Sequence, residues 1–228
     1  MKVHSIFHIF ILIVMWSMAV IRKTFPVPPL GCNCSILGDP ITKQAMIVDP
    51  GGAHEMILNQ VQEMGLTVVS VVHTHAHFDH FLASGEIKKA TGATLCLHPD
   101  DRRLWEMLDV QCRMFGIPYV PAPLPEYWLQ DEEKIIVGGV EGVALHTPGH
   151  TPGSMCFFFP SDALLLAGDT LFRGGIGRTD LWGGDGEAIQ RSIRERLYGL
   201  EDDTRVVTGH GPETQIGFER ENNPFVRA

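Results

Sequence analysis

The segment Thr74-His75-Ala76-His77-Phe78-Asp79-His80 places three imidazoles and one carboxylate within six residues. It follows Val68–Val72, a β-branched run that reads as a strand. Alternate residues of an extended chain face one side, so His75 and His77 can converge on one ion. Asp79 and His80 come at the turn into a helix, where the face changes, and can address a second ion beside the first. Imidazole nitrogens and carboxylate oxygens suit Zn²⁺, Fe or Mn²⁺. His73 is in phase with His75. It still reads as a strand residue, because His75, His77, Asp79 and His80 already complete a set.

Further ligands must come from elsewhere, and three candidates stand at strand ends. His150 sits in Thr147-Pro148-Gly149-His150-Thr151-Pro152-Gly153-Ser154, Asp169 in Ala167-Gly168-Asp169-Thr170, and His210 in Thr208-Gly209-His210-Gly211-Pro212. A glycine beside each allows the backbone to approach an ion closely. His54, His98 and His146 lack such a setting. Asp49, in Asp49-Pro50-Gly51-Gly52, has two readings: a group that fixes a ligand histidine from behind, or a simple turn and helix cap. Cys32 and Cys34 have no second cysteine pair to complete a soft metal site and read as structural.

These residues need a scaffold. Strands are expected at Ala45–Val48, Val68–Val72, Thr94–Leu97, Ile135–Val137, Val143–His146, Met155–Phe159, Leu164–Ala167 and Arg205–Thr208. Helices are expected at His54–Met64, Phe81–Ala90, Asp100–Phe115 and Glu187–Leu197, with a loop of four prolines over 117–128. This order predicts an α/β chain with a sheet-rich core and helices outside. The 228 residues, 44% of them hydrophobic, suffice for one such domain. The chain carries 27 acidic residues against 18 Lys and Arg, which disfavours a nucleic-acid partner. Five cysteines, an odd number without regular spacing, read as free thiols in a reducing compartment, so a cytoplasmic location is expected.

The motif and the three later ligand loops resemble the metallo-β-lactamase superfamily. The stretch from Gly168 to Asp180, containing Gly177-Arg178-Thr179-Asp180, is similar to hydroxyacylglutathione hydrolases, the glyoxalase II group. Gly209-His210-Gly211-Pro212, Glu219-Arg220 and Asn223-Pro224-Phe225 point to their short bacterial type, which lacks the helical C-terminal domain. The resemblance runs from about residue 26 to the C-terminus, giving a catalytic domain over 26–228 and a separate segment over 1–25. It implies an αββα sandwich with two divalent metal ions per chain, zinc foremost, with iron or manganese as alternatives. His75, His77 and His150 would hold one ion and Asp79, His80 and His210 the other, with Asp169 bridging.

Two ions ~3.5–4 Å apart can lower the pKa of a shared water to ~7, which lets water attack a carbonyl carbon without a protein nucleophile. Asp79 would orient that water, so Asp79 and Asp169 are the expected catalytic carboxylates. The implied reaction is hydrolysis of a small-molecule S-acyl thioester such as S-lactoylglutathione, with Arg178 and Arg173 near the thiol portion. Asp180 departs from the family, which often has Tyr there. Asp169 stands where lactam-cleaving members usually carry Cys or Ser, which disfavours antibiotic hydrolysis. The alternative is a persulfide dioxygenase, which holds a single iron on two His and one Asp and shares the Gly-Arg-Thr-Asp stretch.

The N-terminus is apolar from Ile6 to Ile21, between Lys2 and Arg22-Lys23. That is short of the ~20 residues a membrane span requires. In one reading Met1–Phe10 is the first strand and residues 11–25 are an insertion. In the other, residues 1–23 are a signal peptide or anchor, with Ser17-Met18-Ala19 as a cleavage site, and the protein is exported or membrane-anchored.

Overall fold

The structure, a computed structural model, describes residues 19–227. A first sheet runs β1 (Ile21–Val27), β2 (Cys32–Gly38), β3 (Gln44–Val48), β4 (Thr67–Val72), β5 (Thr94–Leu97) and β6 (Tyr127–Trp128) in spatial order. The pairs β1–β2 and β2–β3 are antiparallel, and β3 to β6 are parallel. The second half contributes β7 (Lys134–Val137), β8 (Val140–His146), β9 (Met155–Phe159), β10 (Leu164–Gly168), a small hairpin of β11 (Leu171–Phe172) and β12 (Gly175–Ile176), then β13 (Arg205–Thr208) and β14 (Thr214–Gln215). Its sheet has the order β14-β13-β10-β9-β8-β7, with β10 and β13 parallel. The helices are α1 (His54–Glu63), α2 (Phe78–Phe81), α3 (Ser84–Thr91), α4 (Arg102–Glu106), α5 (Leu108–Phe115), α6 (Gly186–Ser192) and α7 (Ile216–Asn222).

The period of two along each strand builds the layers. In β3, Met46 and Val48 pack between the sheets with Phe157, Leu164 and Leu166. Their neighbours Ala45 and Ile47 face outward, onto Ile57 and Val61 of α1 and Ile87 of α3. In β10, Leu165 and Ala167 face the other way, onto Ile189, Ile193 and Leu197 of α6 and the π turn that continues it. Both faces of both sheets are thus covered, and the expected αββα sandwich is present.

Three boundaries differ from expectation. The helix expected over Asp100–Phe115 opens as a 3₁₀ turn over Pro99–Asp101 and breaks at Met107, which has φ −101° and ψ 8°. The turn aims Asp101 away from solvent, toward the loops of Ala76 and Thr151–Gly153. The helix expected at Phe81 begins at Phe78 and is interrupted before Ser84. Residues 21–25, within the segment set apart over 1–25, form most of edge strand β1, in full register with β2, and Thr24 Oγ1 lies 2.8 Å from Ser35 Oγ. The expectations for residues 1–18, as strand or signal segment, lie outside the described residues. Among the described residues no helix is long and apolar enough to cross a membrane.

The ends of β4, β8, β10 and β13 lead into the four segments that carry the candidate ligands. Asn33 ties the sheets together there. Its N–H donates to Gly209 O at 2.7 Å, and its side-chain amide donates to Thr208 O and Gly211 O, each at 2.9 Å.

Candidate metal centre

All seven candidate ligands meet in one cluster. His77 Nδ1 lies 3.0 Å from His150 Nε2, and the His75 ring centroid lies 4.8 and 4.7 Å from those of His77 and His150. On the other side His80 Nε2 lies 3.2 Å from His210 Nε2, and His210 Nε2 lies 3.2 Å from Asp79 Oδ2. Asp169 stands between the two groups. Its Oδ1 is 3.5 Å from His80 Nε2 and 3.8 Å from His210 Nε2, while its Oδ2 is 3.5 Å from His150 Nε2.

Groups behind the imidazoles decide which nitrogen faces inward. A carbonyl can only accept, so His150 Nδ1–H donates to Arg178 O (2.8 Å) and leaves Nε2 with its lone pair. His80 Nδ1–H donates to Asp49 Oδ2 (3.0 Å) in the same way. Thr74 gives its hydroxyl proton to Asp49 Oδ2 (2.6 Å) and its N–H to Asp49 Oδ1 (2.8 Å), which leaves its oxygen free to accept from His75 Nδ1–H at 3.0 Å. Asp49 therefore orients His80 directly and His75 through Thr74, as carboxylates behind metal-bound histidines do.

The arrangement leaves polar atoms that the protein alone does not satisfy. His75 Nε2 and Asp169 Oδ1 are buried without a hydrogen-bond partner. An orphaned buried group costs about 1–3 kcal/mol, which a cation among these donors would offset. Burial holds His75 well below the usual imidazole range, His77 down at about 3, and His150 below its ordinary value. In the other half, burial acts against protonation, yet Cys32 and the carboxylates of Asp169, Asp79 and Asp49 raise His80 well above its usual range. Against the same burial, His80 and His210 hold Asp79 at about 2. Neutral donors beside a carboxylate-rich half fit divalent cations, which take the positive charge that the carboxylates attract.

Close approach is built into the backbone. A Cβ on Gly209 would overlap Asp169 Oδ1, and Gly168, at φ 49°, has no room for a Cβ beside Thr74.

Other residues fall where their surroundings dictate. His73 is fully buried but outside the cluster, with Nδ1 at 2.9 Å from Cys96 O and Nε2 at 2.7 Å from Ser84 Oγ. His98 stacks on His146, ring centroids 4.1 Å apart. Burial pushes the Cys32 thiol up to about 12, and its Sγ sits 3.4 Å from the outward Nδ1 of His80, not among the inward donors. All five cysteines are buried and unpaired. The two arginines separate. Arg178 lines the cleft over the cluster, whereas Arg173, in the β11–β12 turn, lies over the Phe218 ring at 5.7 Å and is not among the cleft residues.

Asp101 is a site residue that sequence reasoning missed. Fully buried, it accepts from Ala76 N–H (2.9 Å), Gly153 N–H (2.7 Å) and Thr151 Oγ1 (2.9 Å). It thereby joins the loop of His75 and His77 to the loop of His150. In the sequence it reads as one of two acidic residues opening a helix, and no local signal separates it from Asp100.

Comparison with known proteins places this geometry. The family described as the metallo-beta-lactamase superfamily matches residues 27–210. The hydroxyacylglutathione hydrolase GloC of Haemophilus influenzae is 38% identical over 208 residues, covering 90% of this chain and 98% of that protein. The solved structure of BLEG-1 B3 metallo-beta-lactamase superposes with a TM-score of 0.85 at 35% identity, over 91% of this chain and 100% of the other. That of TTHA1623 in a di-iron-bound form superposes with a TM-score of 0.83 at 36% identity, over 90% and 100%.

Proposed function

The chain belongs to the metallo-β-lactamase superfamily, and on that premise we propose that it is a dinuclear metal-dependent hydrolase of S-acyl thioesters. The observation that carries the dinuclear reading is the division of Asp169 between the two groups, Oδ2 toward His150 and Oδ1 toward His80 and His210. His75, His77 and His150 would hold one divalent ion and Asp79, His80 and His210 the other, with Asp169 facing both groups. Zinc suits the mixed imidazole and carboxylate set, and iron suits it too, as the di-iron relative illustrates. When bound, the pair supplies a water acidified to a pKa of ~7 and a Lewis acid for the carbonyl oxygen.

The chain's own residues do the rest. Asp79 lines the cleft and would orient the attacking water. Asp49, Thr74 and the Arg178 carbonyl keep three imidazoles in one tautomer throughout. Water adds to the thioester carbon, the C–S bond breaks, and the products are a carboxylate, a thiol and a proton. The GloC relative, by its name a hydroxyacylglutathione hydrolase, supports this reading.

Elemental analysis combined with assays tests it. Wild type should carry about two ions per chain, and His210→Ala about one, because that variant spares His75, His77 and His150. The metal-loaded protein should hydrolyse a thioester such as S-lactoylglutathione, and a chromogenic cephalosporin far more slowly. One iron per chain, no change in His210→Ala, and oxygen consumption with glutathione persulfide would replace this reading with the dioxygenase.

A further inference from the structure

The cleft above the cluster, of about 290 Å³, is apolar on both flanks. Met107, at the break before α5, and Val110 and Met114 of α5 line one wall, while Leu108 and Cys112 of α5 face the core. Phe115 extends this wall, and Leu181 and Trp182 stand opposite. Met114 is 77% exposed, Phe115 49% and Trp182 51%. Single exposed apolar side chains are ordinary, but several around one cleft beside a reactive centre mark a surface that a ligand covers.

The cleft's charge points the same way. Among the described residues, Arg178 is the one lysine or arginine that lines it, and its guanidinium is held by Asp180 in a two-pronged pair, Nε–Oδ1 2.7 Å and Nη2–Oδ2 2.8 Å. A carboxylate-rich substrate therefore meets no unpaired cation among these residues.

Resting on the thioester-hydrolase reading, we infer that the acyl half of the substrate is an apolar chain or ring of short to medium length rather than a polar 2-hydroxyacyl group, lying along the Met107–Val110–Met114 face. The thiol carriers of biological thioesters are polar, so the apolar half is the acyl group. The volume is at the lower end of the ~300–1,000 Å³ usual for small-molecule sites, which limits its length. Two methionines on the wall let it adapt to acyl groups of different shape.

The test is a series of N-acetylcysteamine thioesters, whose thiol is neutral, from acetyl to hexanoyl, with lactoyl and propionyl as a matched pair. With the metal-loaded protein, kcat/KM should rise about fourfold for each methylene buried, and propionyl should exceed lactoyl. Met114→Glu should shrink the hexanoyl-to-acetyl ratio at least tenfold. Calorimetry with S-ethyl and S-hexyl thioethers of N-acetylcysteamine, which cannot be hydrolysed, reads binding alone, and the hexyl compound should bind more tightly. Thioester hydrolysis with a flat series, or lactoyl above propionyl, overturns the apolar assignment and leaves the hydrolase reading in place. Length-dependent thioether binding without hydrolysis of any thioester overturns the hydrolase reading and keeps an apolar ligand in the cleft. Equal binding of both thioethers overturns the apolar assignment whatever the activity.

Discussion

Asp169→Ala should lower kcat for thioester hydrolysis by roughly 10³-fold or more and bring the metal content below one ion per chain. The variant removes the one side chain that faces both groups, at 3.5 Å from His80 Nε2 on one side and from His150 Nε2 on the other. It also removes a negative charge from a centre where two divalent cations would otherwise repel each other. The fold should survive, because Asp169 Oδ1 has no hydrogen-bond partner in the protein to lose. Metal analysis, circular dichroism and steady-state kinetics on one preparation separate these effects. A well-folded variant that keeps two ions and a kcat within tenfold of wild type would remove the bridging role.

Asp101→Ala should be among the most destabilising single changes near the site. It leaves Ala76 N–H and Gly153 N–H buried without an acceptor, which amounts to about 3–5 kcal/mol and lowers Tm by roughly 10 °C for a domain of this size. It should also weaken the ion held by His75, His77 and His150 before the other, because those two loops are the ones it joins.

Asp101 has its own pH signature. Burial raises its carboxyl from 3.8 to about 6, against the hydrogen bonds from Ala76, Gly153 and Thr151. The folded state therefore binds this proton more tightly than the unfolded chain does. The resulting stability is complete below pH 3.8 and lost as pH rises through 6. The interval corresponds to about 3 kcal/mol. Denaturant titrations in chelator should show wild type losing about that much relative to Asp101→Asn between pH 4 and pH 7. A constant difference would mean that the carboxylate is ionised over the whole range.

Much of the centre is legible in the amino-acid sequence because its directions are local. His75 and His77 share a side because the chain after β4 is extended, and Asp79 and His80 change side because α2 begins at Phe78. His150, Asp169 and His210 stand out because a ligand approached closely by backbone needs glycine beside it, and Gly168 and Gly209 meet that need. Near-continuous apolar runs likewise mark β3, β9 and β10 and imply sheets covered on both faces.

Tertiary structure decides what depends on packing between distant segments. Asp100 and Asp101 are the same residue type at the opening of one helix, yet the side chain of Asp100 is 58% exposed and Asp101 is fully buried. Only the approach of the Ala76 and Thr151–Gly153 loops distinguishes them. Arg178 and Arg173 look alike in the sequence, as cations near a substrate. The fold uses the Arg178 carbonyl to orient His150, pairs its guanidinium with Asp180, and lays Arg173 over Phe218. The strand at Ile21–Val27 starts where the apolar run ends and carries Arg22, Lys23 and Pro26, so its residues alone do not mark it, and its register is fixed by pairing with β2. Local spacing sets where a side chain points relative to its neighbours. What it meets there is set by contacts between segments far apart in the chain, which spacing does not encode.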